Sequence, residues 1–252
     1  MPLVKTQGIV IKQINLGEAD KIITLFTDKL GKIGAVVHGA RKSKSIFLSS
    51  TQIFAYCEFV LYKGKSMYTV NQSEIKESFQ GLLSDLYTLT YSSYMVELLD
   101  ALIQNEESNI ELFTLVLKTM YLMTDTDIDK EILIRIFELK SMIISGFMPN
   151  LYNCSICKEG NKEAARFSIR FGGVICEECS SNDQYSIKVD ASTISIMKYF
   201  LKNNIEKIRT LKVSKQNKEE MKKIMKNYIR YYLERDFKSL EFLDNIKHVD
   251  NL

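Results

Sequence analysis

Over roughly the first 75 residues, apolar and polar positions alternate with a period of two, the pattern of half-buried strands. Leu3, Val4 and Gly8 to Ile11 begin it, Ile22 to Phe26 and Lys32 to Val37 continue it, and Gln52 to Tyr62 and Ser66 to Ile75 are further strand-like runs. Gly17, Gly31, Gly34, Gly39 and Gly64 punctuate the runs at turns. About five strands in so short a stretch, without helical periodicity between them, predict a small closed or partly open barrel of the OB or SH3-like kind, because closure removes exposed sheet edges.

After Ile75 the period changes. Leu86, Leu89, Tyr94, Leu98 and Leu102 recur at three and four residues, as a half-buried helix requires. Helices are predicted near residues 84–104, 109–123 and 128–145, with Gly146 stopping the third and Pro149 reinforcing the stop. Two more follow at 192–201 and 217–233, so a cysteine-bearing segment at about 150–182 is inserted in a helical region. The fold class is α+β, with a barrel over 1–78 and a helical domain over 79–252.

Composition adds boundaries. With 46% hydrophobic and 26% charged residues among 252, the chain can bury a sizeable core and has no low-complexity character. No signal-peptide core opens it, and no apolar run approaches the roughly 20 residues of a membrane span, so a cytoplasmic protein is expected. Net charge is only +3, but it is unevenly distributed. Residues 1–68 carry ten Lys or Arg against four Asp or Glu, 80–140 carry four against eleven, and 198–235 carry twelve against four. Two basic zones flanking an acidic one permit phosphate binding, although basic helix faces are commonly just solvated.

Cys154, Cys157, Cys176 and Cys179 form two C-x2-C pairs separated by 18 residues, a zinc-ribbon spacing. Each pair lets one tight turn aim two thiolates at a single ion, and two pairs complete a tetrahedron. With all four positions filled by protein, one zinc would be structural. Disulfides, a redox C-x-x-C and unrelated core cysteines are the alternatives, and a cytoplasmic address disfavours the first. Cys57, the fifth, reads as a small hydrophobe in a strand.

Gly39, Ala40, Arg41, Lys42, Ser43, Lys44 and Ser45 make a compact basic loop whose long cations can neutralise phosphates with little regard for base sequence. Lys12, Lys21, Lys29 and Lys32 would add to that field only if the strands place them on the same face, and Tyr62 and Tyr68 could stack on unpaired bases, although strand tyrosines more often pack. Two histidines, His38 and His248, lie far apart with no hydrolase motif, and Glu18, Asp20 and Asp28 read as solvated turn acids rather than a magnesium site. No catalytic function is expected.

Taken together, these residues resemble the RecO family of bacterial recombination mediators over nearly the whole chain. The resemblance is carried by Gly17-Glu18-Ala19-Asp20-Lys21-Ile22 with Leu25, Phe26, Thr27, Gly31, Lys32 and the 39–42 loop. It is carried again by Ser145 to Leu151 running into the cysteines, with Phe171-Gly172-Gly173-Val174 between the pairs, and more weakly by Tyr231 to Glu234 and Lys238 to Leu240. It implies a five-stranded OB-fold that binds single- and double-stranded DNA, and a non-enzymatic protein of the RecF pathway, nucleoid-associated, that anneals complementary strands. It further implies help in loading recombinase onto strands coated by single-strand-binding protein, with RecR and that protein's C-terminal tail as partners. Arg41, Lys42 and Lys44 become the first phosphate contacts, with Lys32, Lys12 and Tyr68 beside them. Arg230, Arg235 and Lys238 are the matching choices for the acidic tail in the helical body. Ser43 stands where many relatives have proline, which predicts a more mobile loop. Rival readings are a zinc-ribbon adaptor that binds proteins but not DNA, and a metal-dependent nuclease.

Overall fold

The computed structural model describes residues 3–159 and 166–249. Five strands, β1 (Leu3–Leu16), β2 (Asp20–Thr27), β3 (Gly31–Val37), β4 (Tyr56–Lys63) and β5 (Tyr68–Glu77), close into a barrel in the order β1-β2-β3-β5-β4. All pairings are antiparallel except β3 with β5, where Ala35 meets Tyr68 and Val36 meets Thr69. This is the OB-fold arrangement, a five-stranded Greek-key barrel. The long β1 serves two neighbours: Leu3 to Ile9 pair with β4, Gly8 to Leu16 with β2, and a register shift between Val10 and Lys12 bends the strand so that the sheet can close. Alternation does the rest, putting Val10, Ile23, Leu25, Ile33, Ala35, Val37, Cys57, Phe59, Leu61 and Val70 inside.

One expected strand is shorter than its hydrophobic pattern. Residues 52–55 are turns, and β4 starts at Tyr56. Phe54 adopts φ 73° with its ring buried, while its N–H bonds to the Val10 carbonyl (2.9 Å) and the Val10 N–H to the Ala55 carbonyl (3.0 Å). The segment thus satisfies the backbone of β1 at its bulge, and burial of the phenyl ring offsets a backbone conformation that a bulky residue rarely takes.

Two helices follow, α1 (Leu86–Leu102) and α2 (Ile110–Met123). The Asp85 and Asn109 side chains accept from the Thr88 and Leu112 N–H groups (both 2.9 Å), so each start is fixed by a local cap. Phe113 of α2 meets Phe26 and Tyr56 of the barrel at ring separations of 5.5 and 6.3 Å. The chain divides into two compact units, Met1–Thr124 and Asp125–Leu252, so α1 and α2 pack with the barrel. No helix among the described residues is long and apolar enough to cross a membrane.

In the second unit, α3 (Lys130–Ile144) packs on α4 (Ala191–Lys202) and α5 (Lys215–Leu233), and α6 (Lys238–Val249) completes the helices. Gly146, at φ 89°, ends α3 in a Schellman turn, with its own N–H on the Ile143 carbonyl and the Phe147 N–H on that of Met142 (2.9 and 2.8 Å). Between α3 and α4 lies a sheet in the order β7-β6-β8, made of β6 (Arg166–Ser168), β7 (Gly173–Ile175) and β8 (Ile187–Lys188).

Candidate metal centre and nucleic-acid interface

The cysteine segment is built on Asn150. Its N–H bonds to the Gly172 carbonyl and its carbonyl accepts from the Val174 N–H (both 2.9 Å), while its side chain binds the Tyr152 and Asn153 N–H groups (3.2 and 3.3 Å). A Cβ on Gly173 would lie 2.2 Å from the Asn150 oxygen, and Gly172 sits at φ +67°, so the glycine pair permits both the reversal and the close approach. Asn150 thereby ties the first knuckle to the hairpin that carries the second.

As a result the four Sγ atoms of Cys154, Cys157, Cys176 and Cys179 lie within 4.8 Å of one another, with 3.9 Å between Cys157 and Cys176. A tetrahedral ion with metal–sulfur bonds of about 2.3 Å needs sulfurs about 3.8 Å apart, so the cluster has the dimensions of a metal site. All four are free thiols, far beyond the roughly 2.05 Å of a disulfide. Burial raises the Cys154 thiol's pKa, but the N–H groups of Cys176, Cys157 and Ile156 outweigh it and bring it down to about 6, a value that favours thiolate. Cys179 is pushed up to about 12, first by burial and then by its sulfur neighbours. Four sulfurs in this space therefore cannot all ionise cheaply unless a cation sits among them. Ile175 and Ile156 pack against the cluster and limit water. Among the described residues no other group of three or more His, Cys, Asp or Glu has ligand atoms so close.

The acids considered for magnesium have separate duties. Asp28 accepts from the Thr6 hydroxyl (2.6 Å) and the Gln7 N–H (3.0 Å). Asp20 holds the base of the basic loop, one oxygen accepting from the Gly39 N–H (2.8 Å) and the other meeting His38 Nδ1 (2.8 Å). The Gly39 N–H first, and His38 next, keep its carboxyl below the ordinary carboxylate range. The Arg41 N–H bonds to the Ala19 carbonyl (2.9 Å) and its guanidinium to the Gly17 carbonyl, while Gly39 takes φ +69°. The Gly17-Glu18-Ala19-Asp20 and Gly39-Ala40-Arg41-Lys42 motifs are thus two halves of one turn-on-turn contact. Sequence reasoning assigns Asp20 no function; the only signal for its anchoring role is the presence of both motifs in one chain.

This contact leaves Arg41, Lys42 and Lys44 exposed, none of them paired with a carboxylate among the described residues. Lys12 is exposed on β1, where it faces Thr24 of β2. Lys32 lies elsewhere in the field of charges: its ammonium is 3.0 Å from the Asp100 carboxylate and from that residue's carbonyl, on α1. Tyr68 is 5% exposed within the barrel core, with the Lys63 ammonium 5.7 Å from its ring centre, so its faces are already covered; Tyr62 is exposed. Lys21, buried, donates to Gln13 (2.7 Å), and desolvation first, then nearby Arg41, lowers its pKa.

Around the last two helices, Arg230 pairs with Asp236 (3.1 Å) and the Arg235 guanidinium lies 5.9 Å from the Phe237 ring centre. Both line a hollow of about 190 Å³ with Phe237 and Leu240. Lys238 opens α6, exposed and outside that lining.

Comparison with known proteins agrees over both units. Residues 1–79 match the family described as Recombination protein O N terminal, and residues 83–241 match Recombination protein O C terminal. The chain is 40% identical over 245 residues to DNA repair protein RecO of Alkaliphilus metalliredigens, covering 97% of this chain and 100% of the relative. It is 40% identical over 247 residues to the protein of that name from Clostridium acetobutylicum (98% and 99% covered), and 34% over 250 residues to that of a Thermoanaerobacter species (99% and 100%). With a closed OB barrel at its head, a four-thiol cluster in its helical half and both family signatures in order, the chain belongs to the RecO family of DNA repair proteins.

Proposed function

We propose that this chain acts in DNA repair and recombination by holding DNA electrostatically rather than by reacting with it. In this reading the barrel, residues 1–78, binds single- and double-stranded DNA; Arg41, Lys42 and Lys44 contact phosphates; Lys12 extends the field; and Lys32 acts indirectly by fixing the barrel to α1. The observation that carries the reading is a loop of three exposed cations, none in an ion pair among the described residues, anchored at its base by the Asp20 carboxylate. An anchored loop presents charge without losing much freedom on binding, and exposed lysines and arginines let bases remain mobile enough to pair. Annealing then needs no covalent step: screening the repulsion between two strands and concentrating them leaves base pairing to finish the process. Help in recombinase loading on strands coated by single-strand-binding protein, and association with RecR, belong to the same reading. The hollow beside Phe237 and Leu240, edged by Arg230 and Arg235 with Lys238 nearby, is the proposed seat for that protein's acidic tail.

Zinc is the ion that best suits four thiolates in a closed tetrahedron, and its role would be to hold the two knuckles together. It would leave no open coordination position, so it supplies fold rather than hydrolysis.

The test is salt-dependent binding of the full chain to a single-stranded oligonucleotide. Replacing Arg41, Lys42 and Lys44 with alanine should flatten the slope of log affinity against log salt by about 0.7 for each phosphate that is no longer neutralised. A slope identical to that of the parent chain removes the loop from the site.

A further inference from the structure

Within the second unit, an open groove of about 1210 Å³ runs between the three-stranded sheet and α5. That exceeds the roughly 300–1,000 Å³ of sites for compact small molecules, so its size suits a stretch of polymer. Arg170 on the β6–β7 turn, Lys188 in β8 and Lys223 on α5 line it, and none of the three pairs with a carboxylate among the described residues. Arg166 also lines it, its guanidinium aimed by hydrogen bonds to the Ser186 hydroxyl (2.7 Å) and carbonyl (2.6 Å), which fix direction without cancelling charge.

Two acids also line the groove: Glu234, exposed just past α5, and Asp183, which is already engaged. Asp183 is buried, and its carboxylate accepts from the Ser168 hydroxyl (2.5 Å) and the Tyr185 N–H (3.0 Å). Those bonds, with the Ser186 hydroxyl on the Asp183 carbonyl (2.6 Å), tighten a turn whose tip is Tyr185, 94% exposed. A ring held in water by an ordered turn adds nothing to the core, and beside a row of cations it leaves a face open for a base to stack on. Tyr231, on the α5 wall, offers a second exposed ring.

We propose that this groove is a second nucleic-acid site, distinct from the barrel loop, which takes one unpaired strand with phosphates against Arg170, Lys188 and Lys223 and bases stacked on Tyr185 and Tyr231. Cations supplied by three separate elements suit a repeating backbone charge, and open aromatic faces suit bases, which an acidic peptide lacks and a duplex keeps hidden. In the annealing reading, such a groove would give the second strand its own place on the protein.

The sequence contains no tryptophan, so Tyr185→Trp in the full chain places a single indole at the turn. Titration with a thirty-nucleotide oligothymidylate should quench its emission in a saturable way, since a base stacks on it. The quenching should persist when Arg41, Lys42 and Lys44 are all alanine. It should need about tenfold more oligonucleotide when Arg170→Ala, Lys188→Ala and Lys223→Ala are added, because three phosphates then go without a counter-charge. With the barrel loop neutralised, Tyr185→Ala should weaken binding at least severalfold, and a fully exposed tyrosine can be truncated without unfolding the chain. Unchanged emission with oligothymidylate, quenching by an oligoglutamate peptide alone, or loss of the signal on neutralising the barrel loop by itself would each overturn the groove site. Groove quenching that survives alongside an unaltered barrel salt slope would instead remove the barrel loop and leave the groove.

Discussion

At the scale of single residues, what matters is which charges are spent and which are left over. Lys32 and Arg41 are equally cationic in sequence, yet one lies against Asp100 and the other stands clear of any carboxylate among the described residues. The difference comes from a partner 68 positions along the chain, which no local pattern can reveal. Tyr68 shows the same limit, because alternation places it on the inner face while its residue type alone leaves stacking open. Asp20 is the residue whose duty was least visible, and it carries a clear expectation. Its carboxyl titrates below the ordinary value of 3.8, so the anchor it provides is complete above that value and is lost as pH falls through the lowered one. Asp20→Asn should therefore reproduce at neutral pH what acid does to the parent chain: severalfold faster exchange of the Gly39 amide, corrected for its intrinsic rate, measured by hydrogen exchange. Undiminished protection of Gly39 in the variant would mean that the loop is held by Arg41 and the Gly17 and Ala19 carbonyls alone.

At the scale of elements, the barrel strands and the five long helices were legible because their causes are local. Asp85, Asn109, Asp129, Asp190 and Ser214 each accept from a backbone N–H in the first turn of the helix they precede, and such caps are written next to the periodicity they terminate. The β3–β4 connection was not legible, because Phe54 looks like a strand residue and acts as a buried plug in a turn. Nor was α6, a short helix that buries Leu240 and Leu243 and is tied to α5 by the pairing of Asp244 with Lys222 and Lys226 (2.8 and 2.7 Å). In α3 the apolar pattern hides a buried ion pair: Arg135 and Glu138 are 2% and 0% exposed in their side chains, 3.0 Å apart. Removing Glu138 takes a counter-charge away from a guanidinium that water does not reach. Glu138→Ala is accordingly expected to cost about 3–5 kcal/mol, read from urea unfolding, whereas Arg135→Met with Glu138→Leu should recover most of that loss. Equal midpoints for the parent chain and Glu138→Ala would show that the pair contributes nothing to α3 packing.

At the scale of the whole molecule, the uneven charge of the sequence resolves into internal neutralisation plus surplus. Acids of the middle zone bind cations within their own unit, Asp100 with Lys32 in the first, Asp125 with Arg209 and Asp129 with Lys218 in the second. Among the described residues, exposed cations without an ion-pair partner include those of the barrel loop and of the groove beside α5, one set in each compact unit. The thiol cluster belongs to the second unit alone, and this makes its contribution separable. The ribbon sheet is only two or three residues long in each strand, too small to hold itself by burial, so an ion bound by the four thiols would supply what its core lacks. Thiolate ligation also couples the site to pH, since protons compete for the sulfurs as acidity rises. A strong chelator should therefore lower the melting temperature of the second unit, and less so at pH 6, where protons have already weakened the ion's contribution, than at pH 8, while the barrel keeps its strand signal and its proposed salt-dependent binding of DNA. Circular dichroism with metal analysis on one preparation checks this, with one zinc released per chain. A chain that carries no zinc as isolated, or one that melts identically with and without chelator, would mean that the knuckles are held by Asn150 and the glycine hairpin without help from a metal.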